Sequence, residues 1–524
     1  MKKLSMLGIV VAASFFMMSG AVRSWGQAPP AEPKPAEAPP KPAAPPETPK
    51  EETSVTDHTI HIGGQTIPYK ATAGTIILKN EKDEPIASMF YTAYIRSDVK
   101  DSSQRPLAFL YNGGPGSSSV WLHMGAFGPR RVVTSDAAAT PPPPYQLEDN
   151  ANSLLDAADL VFIDPVGTGF SKAVGDAKNK DFWGIDEDVK SIAQFIVRYV
   201  NRNLRWNSPK FLIGESYGTF RDAALVDYLQ SHEGMYFNGV VMISTVLDFE
   251  TIGFDTGSDL SYELYIPSYA AVAWYHKTLP DRSADLAPFL TEARQFAFGE
   301  YAAALAKGTN ISPEEKAAVI KKLVHFTGLS EDYWTKANLR VRLQQFMDEL
   351  QRASGLTTGR YDARFAGPNL DLLEEYASYD PVEAAITGPF TSALNQYLRQ
   401  DLQVTKDQDY MILSDDAFGA WDWKHKGPGG DSDPTSPPNV EPDLADALVT
   451  NPHLRVQVEN GYFDMATPFF STEYTMSHLG LPASLQDHIE LKYYDAGHMM
   501  YLHADDLVKL KANVAAFIAT ASKP

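Results

Sequence analysis

The chain has 524 residues, 44 % of them hydrophobic, which is enough for one large interrupted domain or for two domains. Its 66 acidic and 45 basic residues leave a formal charge of −21, which argues against nucleic acid as a partner. There is no cysteine, so disulfides and lipid attachment through a thiol are both excluded.

The chain opens like a secretory leader. Lys2 and Lys3 precede an apolar run from Leu7 to about Val22, and cleavage is expected after Ala21, Gly26 or Ala28. An uncleaved anchor is the alternative, but the run is short for a span of about 20 residues. Residues 1–28 therefore read as a signal peptide, and export to the periplasm or the exterior is expected. Residues 29–54 read as a linker, of which 29–50 are nearly all Pro, Ala, Glu and Lys, an extended spacer reaching roughly 70 Å at full length. No later stretch is apolar enough to span a membrane, so no stable span is expected once the leader is removed.

From 55 to 250 the elements alternate. Thr75–Leu78 and Ser88–Tyr94 flank the charged turn Asn80–Glu84, a hairpin pattern. Leu107–Tyr111 and Leu160–Ile163 are short apolar strands, residues 182–203 suit a helix, and Phe211–Ile213 and Phe237–Ser244 are further strands. This alternation predicts an α/β fold with a mainly parallel central sheet. Helical pattern dominates 251–450, with a capping box and first-turn proline at Ser312-Pro313-Glu314-Glu315 and a helical period over 340–352. Strands return at Leu454–Val458 and Ile489–Tyr493, and 504–522 forms a closing helix. The reading is a core in two parts, 55–250 and 451–524, interrupted by a large, mostly helical insertion.

Gly214-Glu215-Ser216-Tyr217-Gly218 joins a strand to a helix. This is the context in which a G-x-S-x-G turn lifts a serine hydroxyl off the end of a sheet. A serine hydroxyl is a poor nucleophile and needs a base and a group that orients the base. The acid and the histidine should follow later strands. Asp464 follows the strand at 454–458, and His498 follows the strand at 489–493. Among the 12 histidines His503 is the nearest competitor, and Asp495 and Asp248 compete with Asp464. The N–H of Tyr217 is one oxyanion donor, and the glycine loop Asn112–Gly116 can supply another. His58 and His61 are spaced for a metal but lack a third ligand, so no metal site is assigned. Tyr262, Tyr265, Tyr269, Trp274 and Tyr275 either line a cleft or pack the insertion's core.

Five segments together resemble the serine carboxypeptidases, an α/β-hydrolase family. They are Asn112–Ser118, Asp164–Ser171, Gly214–Gly218, Gly461–Asp464 and Gly497–Met499. The resemblance covers about 55–250 and 451–524 and implies removal of single residues from peptide C-termini, without a cofactor. It implies a Ser216, Asp464 and His498 triad, an oxyanion hole from Gly114 and Tyr217, and a substrate carboxylate held by Asn112, Gly113 and Glu215. A carboxylate rests on a glutamate only when a proton is shared, which implies acidic working conditions.

The chain also departs from that family. A second glutamate, expected 14 residues beyond Asn112, is Ala126, and the nearby Arg130 and Arg131 are candidate cationic substitutes. Ser117 stands where the family commonly has cysteine, and Phe220–Ala223 differs from the usual sequence after the elbow. These differences mark a divergent, bacterial-type branch. An exported serine carboxypeptidase acting on peptides is the expectation. Two alternatives stay open: an acyl hydrolase or acyltransferase that ignores the terminal carboxylate, and a non-catalytic envelope binding protein.

Overall fold

The structure is a computed structural model, and it describes residues 49–281, 285–431 and 436–523. The expected leader and the spacer up to residue 48 lie outside the described residues. The chain is already in strand at Thr53, two residues before the expected start of the core.

Three long strands come first: β1 (Thr53–Ile62), β2 (Gln65–Lys79) and β3 (Pro85–Arg96). They pair antiparallel, and the turn between β2 and β3 is held by the Asn80 side chain, which accepts the N–H groups of Lys82 and Glu84. Six shorter strands follow: β4 (Leu107–Tyr111), β5 (Asp159–Ile163), β6 (Lys210–Glu215), β7 (Gly239–Ile243), β8 (Arg455–Gly461) and β9 (Ile489–Tyr494). The sheet order is β1-β2-β3-β5-β4-β6-β7-β8-β9, with the short strand Lys172–Ala173 pairing against β3. From β5 to β9 every pairing is parallel. All residues of β4, β5 and β7 are buried. Such unbroken apolar runs are what a parallel sheet covered on both faces requires. The expected α/β architecture with a mainly parallel sheet is the one adopted.

Helix α1 (Ile185–Asn203) starts three residues later than expected, because Asn179–Phe182 is a separate 3-10 turn and Gly184 is extended at the cap. Helix α2 (Tyr217–Glu233) follows β6 directly. The insertion then builds α3 (Leu260–His276), α4 (Leu286–Phe296), α5 (Pro313–Thr327), α6 (Leu343–Glu349), α7 (Pro381–Gln400) and α8 (Glu441–Thr450). Helix α9 (Ala504–Ala521) closes the chain. The Ser312 capping box is formed: the hydroxyl accepts the Glu315 N–H and the glutamate accepts the Ser312 N–H. The helix expected over 340–352 is only α6, because Asn338 and Leu339 take positive φ before it and a 3-10 turn replaces its end.

The insertion does not pack as one body. Helices α3 to α6 share a core with Tyr262, Tyr265, Tyr269 and Trp334, and this core reaches Phe463 and Phe469 after β8. Trp274 and Tyr275 pack against the same core. The tyrosines thus serve packing, one of the two readings of that cluster. Helix α7 instead buries Phe390, Leu394 and Tyr397 in the core on one sheet face, together with α9. Helix α8 buries Leu444 and Leu448 with α1 and α2 in the core on the other.

Candidate active site

Strand β6 runs into Ser216, which sits at φ 61° and ψ −129°, and α2 starts at the next residue. A non-glycine residue in this region is strained and persists only where its surroundings hold it. Here the Ser216 N–H donates to the Ile243 carbonyl at 2.9 Å, and its own carbonyl accepts the N–H and the hydroxyl of Thr219, each at 2.8 Å. The flanking glycines are required: a Cβ on Gly214 would run into the Gly218 carbonyl, and one on Gly218 would lie 3.0 Å from the Tyr111 carbonyl. Tyr217 is the first residue of α2, so its N–H belongs to the helix end that has no partner one turn back.

Asp464 and His498 follow β8 and β9. These strands pair parallel to each other, and β8 pairs parallel to β7, beside β6, so all these carboxyl ends open on the same edge. His498 Nδ1 lies 2.8 Å from Asp464 Oδ2. The other carboxylate oxygen accepts the N–H groups of Ala466 at 2.8 Å and Thr467 at 2.9 Å. The Thr467 hydroxyl donates to Asp464 Oδ2 at 2.8 Å. Burial by itself would lower the His498 pKa, but the Asp464 charge and hydrogen bond outweigh it, and the pKa is raised. The competing residues have other partners. His503 pairs with Asp506 at the start of α9, Asp248 accepts the Glu250 N–H, and Asp495 is exposed. A buried, carboxylate-held imidazole near a strained serine hydroxyl is equipment for acyl transfer.

The loop after β4 carries the remaining candidates. Asn112 donates to Glu215 Oε1 at 2.8 Å and accepts the Leu122 N–H at 3.1 Å. Gly113 lies flat on the elbow, where a Cβ would strike the amides of Tyr217 and Gly218. Gly114 has φ 105°, open only to glycine without strain. Burial raises Glu215 to about 7, with Asp464 adding to the rise and His498, Tyr501 and Asn112 opposing it. The Tyr501 hydroxyl lies beside this carboxyl, yet neither it nor Glu215 Oε2 closes a hydrogen bond of normal geometry.

Ala126 is fully buried, in a π-helical turn at Leu122–Phe127. Arg130 and Arg131 do not replace the missing glutamate. They lie on a short two-stranded ribbon, paired with Asp149 at 3.0 Å and Glu148 at 2.6 Å, and neither lines the pocket at Ser216. Their alternation along a strand opposite Leu147–Asp149 gives both cations acidic cross-strand neighbours.

That pocket has a volume of about 280 Å³ and is lined by Asn112, Gly113, Gly114, Glu215, Ser216 and His498, with Trp121, Ile386, Leu413, Phe418 and Met499 as apolar walls. Asp464 stands behind His498, and Tyr217 behind Ser216, neither lining it. The structure thus brings the expected site residues to one place. A larger cavity of about 1160 Å³ is bordered by Asn238 and Arg455 at the amino ends of β7 and β8, the opposite edge of the sheet. Among the described residues no cluster of three or more His, Asp or Glu could hold a metal ion. His58 and His61 bond instead to Thr56 and Thr66.

Three contributions were not readable from the motifs. Arg221 is fully buried, paired with Asp188 at 2.5 Å, and lies over the rings of Tyr111 and Tyr217 at 5.0 and 5.4 Å. Residues 411–414 of the insertion strap down the glycine loop, with the Ser118 N–H donating to Ile412 and the Ser414 N–H to Gly116. Arg360, Tyr361 and Glu383, also from the insertion, line the pocket. Nothing in the local sequence marks the last two groups. Arg221 does stand in the departure noted after the elbow.

A family model described as serine carboxypeptidase matches residues 63–295. This range holds the glycine loop and Ser216 and ends before Asp464 and His498. A serine carboxypeptidase-like protein of Oryza sativa subsp. japonica is 29 % identical over 201 residues, 37 % of this chain and 38 % of that protein. The pheromone-processing carboxypeptidase KEX1 of Saccharomyces cerevisiae is 31 % identical over 156 residues, 28 % of this chain and 20 % of KEX1. The aligned stretches span less than half the length of these relatives. A crystal structure of KEX1(Δ)p, a prohormone-processing carboxypeptidase of the same yeast, superposes with a TM-score of 0.54 at 17 % identity, covering 86 % of this chain and 92 % of that one. At that identity the likeness shows the fold, an α/β-hydrolase sheet with its helices. Over residues 63–295, then, the chain is similar to the serine carboxypeptidase family.

Proposed function

We propose that the protein is an exported serine carboxypeptidase that releases residues from peptide C-termini. The carrying observation is that one small pocket holds a strained Ser216, the His498 that is bonded to Asp464, and the Asn112–Glu215 pair. In this reading His498 uses Nε2 as the base toward Ser216, because Nδ1 is engaged by Asp464. The N–H groups of Tyr217 and Gly114 hold the oxyanion, the leaving amine takes the proton back from His498, and water resolves the acyl-enzyme. Asn112, Gly113 and protonated Glu215 hold the substrate's terminal carboxylate, a role suited to a glutamate titrating near 7. Export rests on the basic and apolar start of the chain; among the described residues no helix is long and apolar enough to cross a membrane.

The test is hydrolysis of an N-blocked dipeptide and of its C-terminal amide from pH 4 to 8, with Ser216→Ala as control. Preference for the free acid, lost in the variant, is expected. Equal turnover of acid and amide would replace the reading by a general acyl hydrolase, and absence of turnover by a binding protein.

A further inference from the structure

Arg360 has no role in the mechanism just described, yet it lines the pocket that holds Ser216 and His498. Asp380 and Asp464 favour its charge through space, but among the described residues no carboxylate forms a contact ion pair with its guanidinium. The cation sits 5.2 Å from the centre of the Tyr361 ring. Most other arginines near the core have a close carboxylate, as Arg105 and Arg205 do at Asp159 and Arg364 does at Asp362. A guanidinium at the pocket wall with no carboxylate in direct contact keeps hydrogen-bond donors open, and an anionic ligand would engage them.

The backbone beneath it is held firmly. The Arg360 N–H donates to Asp380 at 2.9 Å, and its carbonyl accepts the Met465 N–H at 3.1 Å, next to the acid loop. The Tyr361 carbonyl accepts the His498 N–H at 2.5 Å. The backbone that carries the guanidinium is therefore fixed relative to the imidazole rather than part of a loose loop, as precise recognition requires.

We propose that Arg360 is a specificity-determining residue that pairs with a carboxylate of the peptide substrate. The inference rests on the carboxypeptidase reading. Two carboxylates fit the chemistry, the peptide's terminus and an acidic side chain next to the scissile bond. Glu383 and Asp415 also line the pocket, but both are exposed at its rim, where water weakens their repulsion. A planar guanidinium engaging a carboxylate in contact, through two hydrogen bonds, outweighs them.

The experiment measures equilibrium binding to the Ser216→Ala chain, which needs no turnover, with and without Arg360→Gln. The ligands are N-blocked Phe-Leu, its amide, and N-blocked Phe-Glu amide. A charged hydrogen-bonded contact of this kind changes affinity by about tenfold to a hundredfold. Loss of that size for Phe-Leu alone assigns Arg360 to the terminus, and for Phe-Glu amide alone to the side chain, with the Phe-Leu amide moving little. Arg360→Lys should recover part of the loss, and Arg131→Gln, outside the pocket, none of the effect. Equal affinities of the parent and Arg360→Gln for both acids, or equal loss for all three ligands, would overturn the proposal. Failure of the carboxypeptidase reading is seen separately, as wild-type turnover that does not distinguish acid from amide.

Discussion

The Arg221 guanidinium donates to the main-chain oxygen of Asn112 at 2.9 Å, tying the first turn of α2 to the glycine loop. Elbow and loop come from different strands, and this bond, with the Asp188 pair behind it, keeps Asn112 facing Glu215. Removing the arginine leaves Asp188 buried without its counter-ion. Arg221→Ala should therefore cost about 3–5 kcal/mol in urea unfolding. A cost below about 1 kcal/mol would show that water relieves the aspartate.

Ser216→Ala should lower turnover of an N-blocked dipeptide by about a millionfold with the melting curve unchanged. No gain in stability is expected from strain relief, because alanine keeps the Cβ and with it the strain at φ 61°, which only Ser216→Gly would remove. Retained turnover would remove Ser216 from the mechanism.

Asp464→Asn should lower kcat by about 10⁴, because the wrong imidazole tautomer is then held. Thr467→Val removes the donor to Asp464 Oδ2 and should lower kcat by about tenfold with KM nearly unchanged. A change confined to KM would place Thr467 in substrate binding instead.

Glu215 gives a pH signature. Its folded pKa of about 7 lies above its ordinary 4.5, so the folded protein keeps the proton across that interval. Stability should fall as pH rises from 4.5 to 7 and then level off, and Glu215→Gln should regain up to about 3 kcal/mol at pH 8. Affinity for free-acid peptides should fall as pH rises through 7 in the parent and stay flat in the variant. Isothermal titration in the Ser216→Ala background reads this directly.

His425 behaves in the opposite way. Burial lowers its pKa, but Asp186 at 2.8 Å and Asp443 at 2.9 Å lift it to about 9. A folded pKa raised above 6.5 means stabilisation that is complete below pH 6.5 and lost as pH rises through 9. His425→Gln should cost about 3 kcal/mol at pH 6 and much less at pH 10. A pH-independent cost would mean that the imidazole only fills space.

The central parallel strands β4, β5 and β7 were legible because each is a short, almost wholly apolar run, and the elbow because its glycines are sterically compelled. Asp464 and His498 could be placed because the chemistry constrains them to follow late strands. Arg360 was not legible: its place depends on insertion backbone docking against two loops more than a hundred residues away. Arg130 and Arg131 looked available because sequence proximity to Ala126 says nothing about the ribbon that pairs them with Glu148 and Asp149. The division at 451 likewise hid that α7 and α8 belong to the sheet's own layers.

The carbonyls of Arg360 and Tyr361, bound to Met465 and His498, make the insertion a structural support of the Asp464–His498 pair. Exchanging this region as a cassette, to borrow the pocket of a related protein, would cut two of the ties that set the imidazole's height above the sheet. Changes of selectivity should therefore be sought one side chain at a time on an unaltered 360–362 backbone, because a graft that misplaces those two carbonyls would lose rate before it gained a new preference.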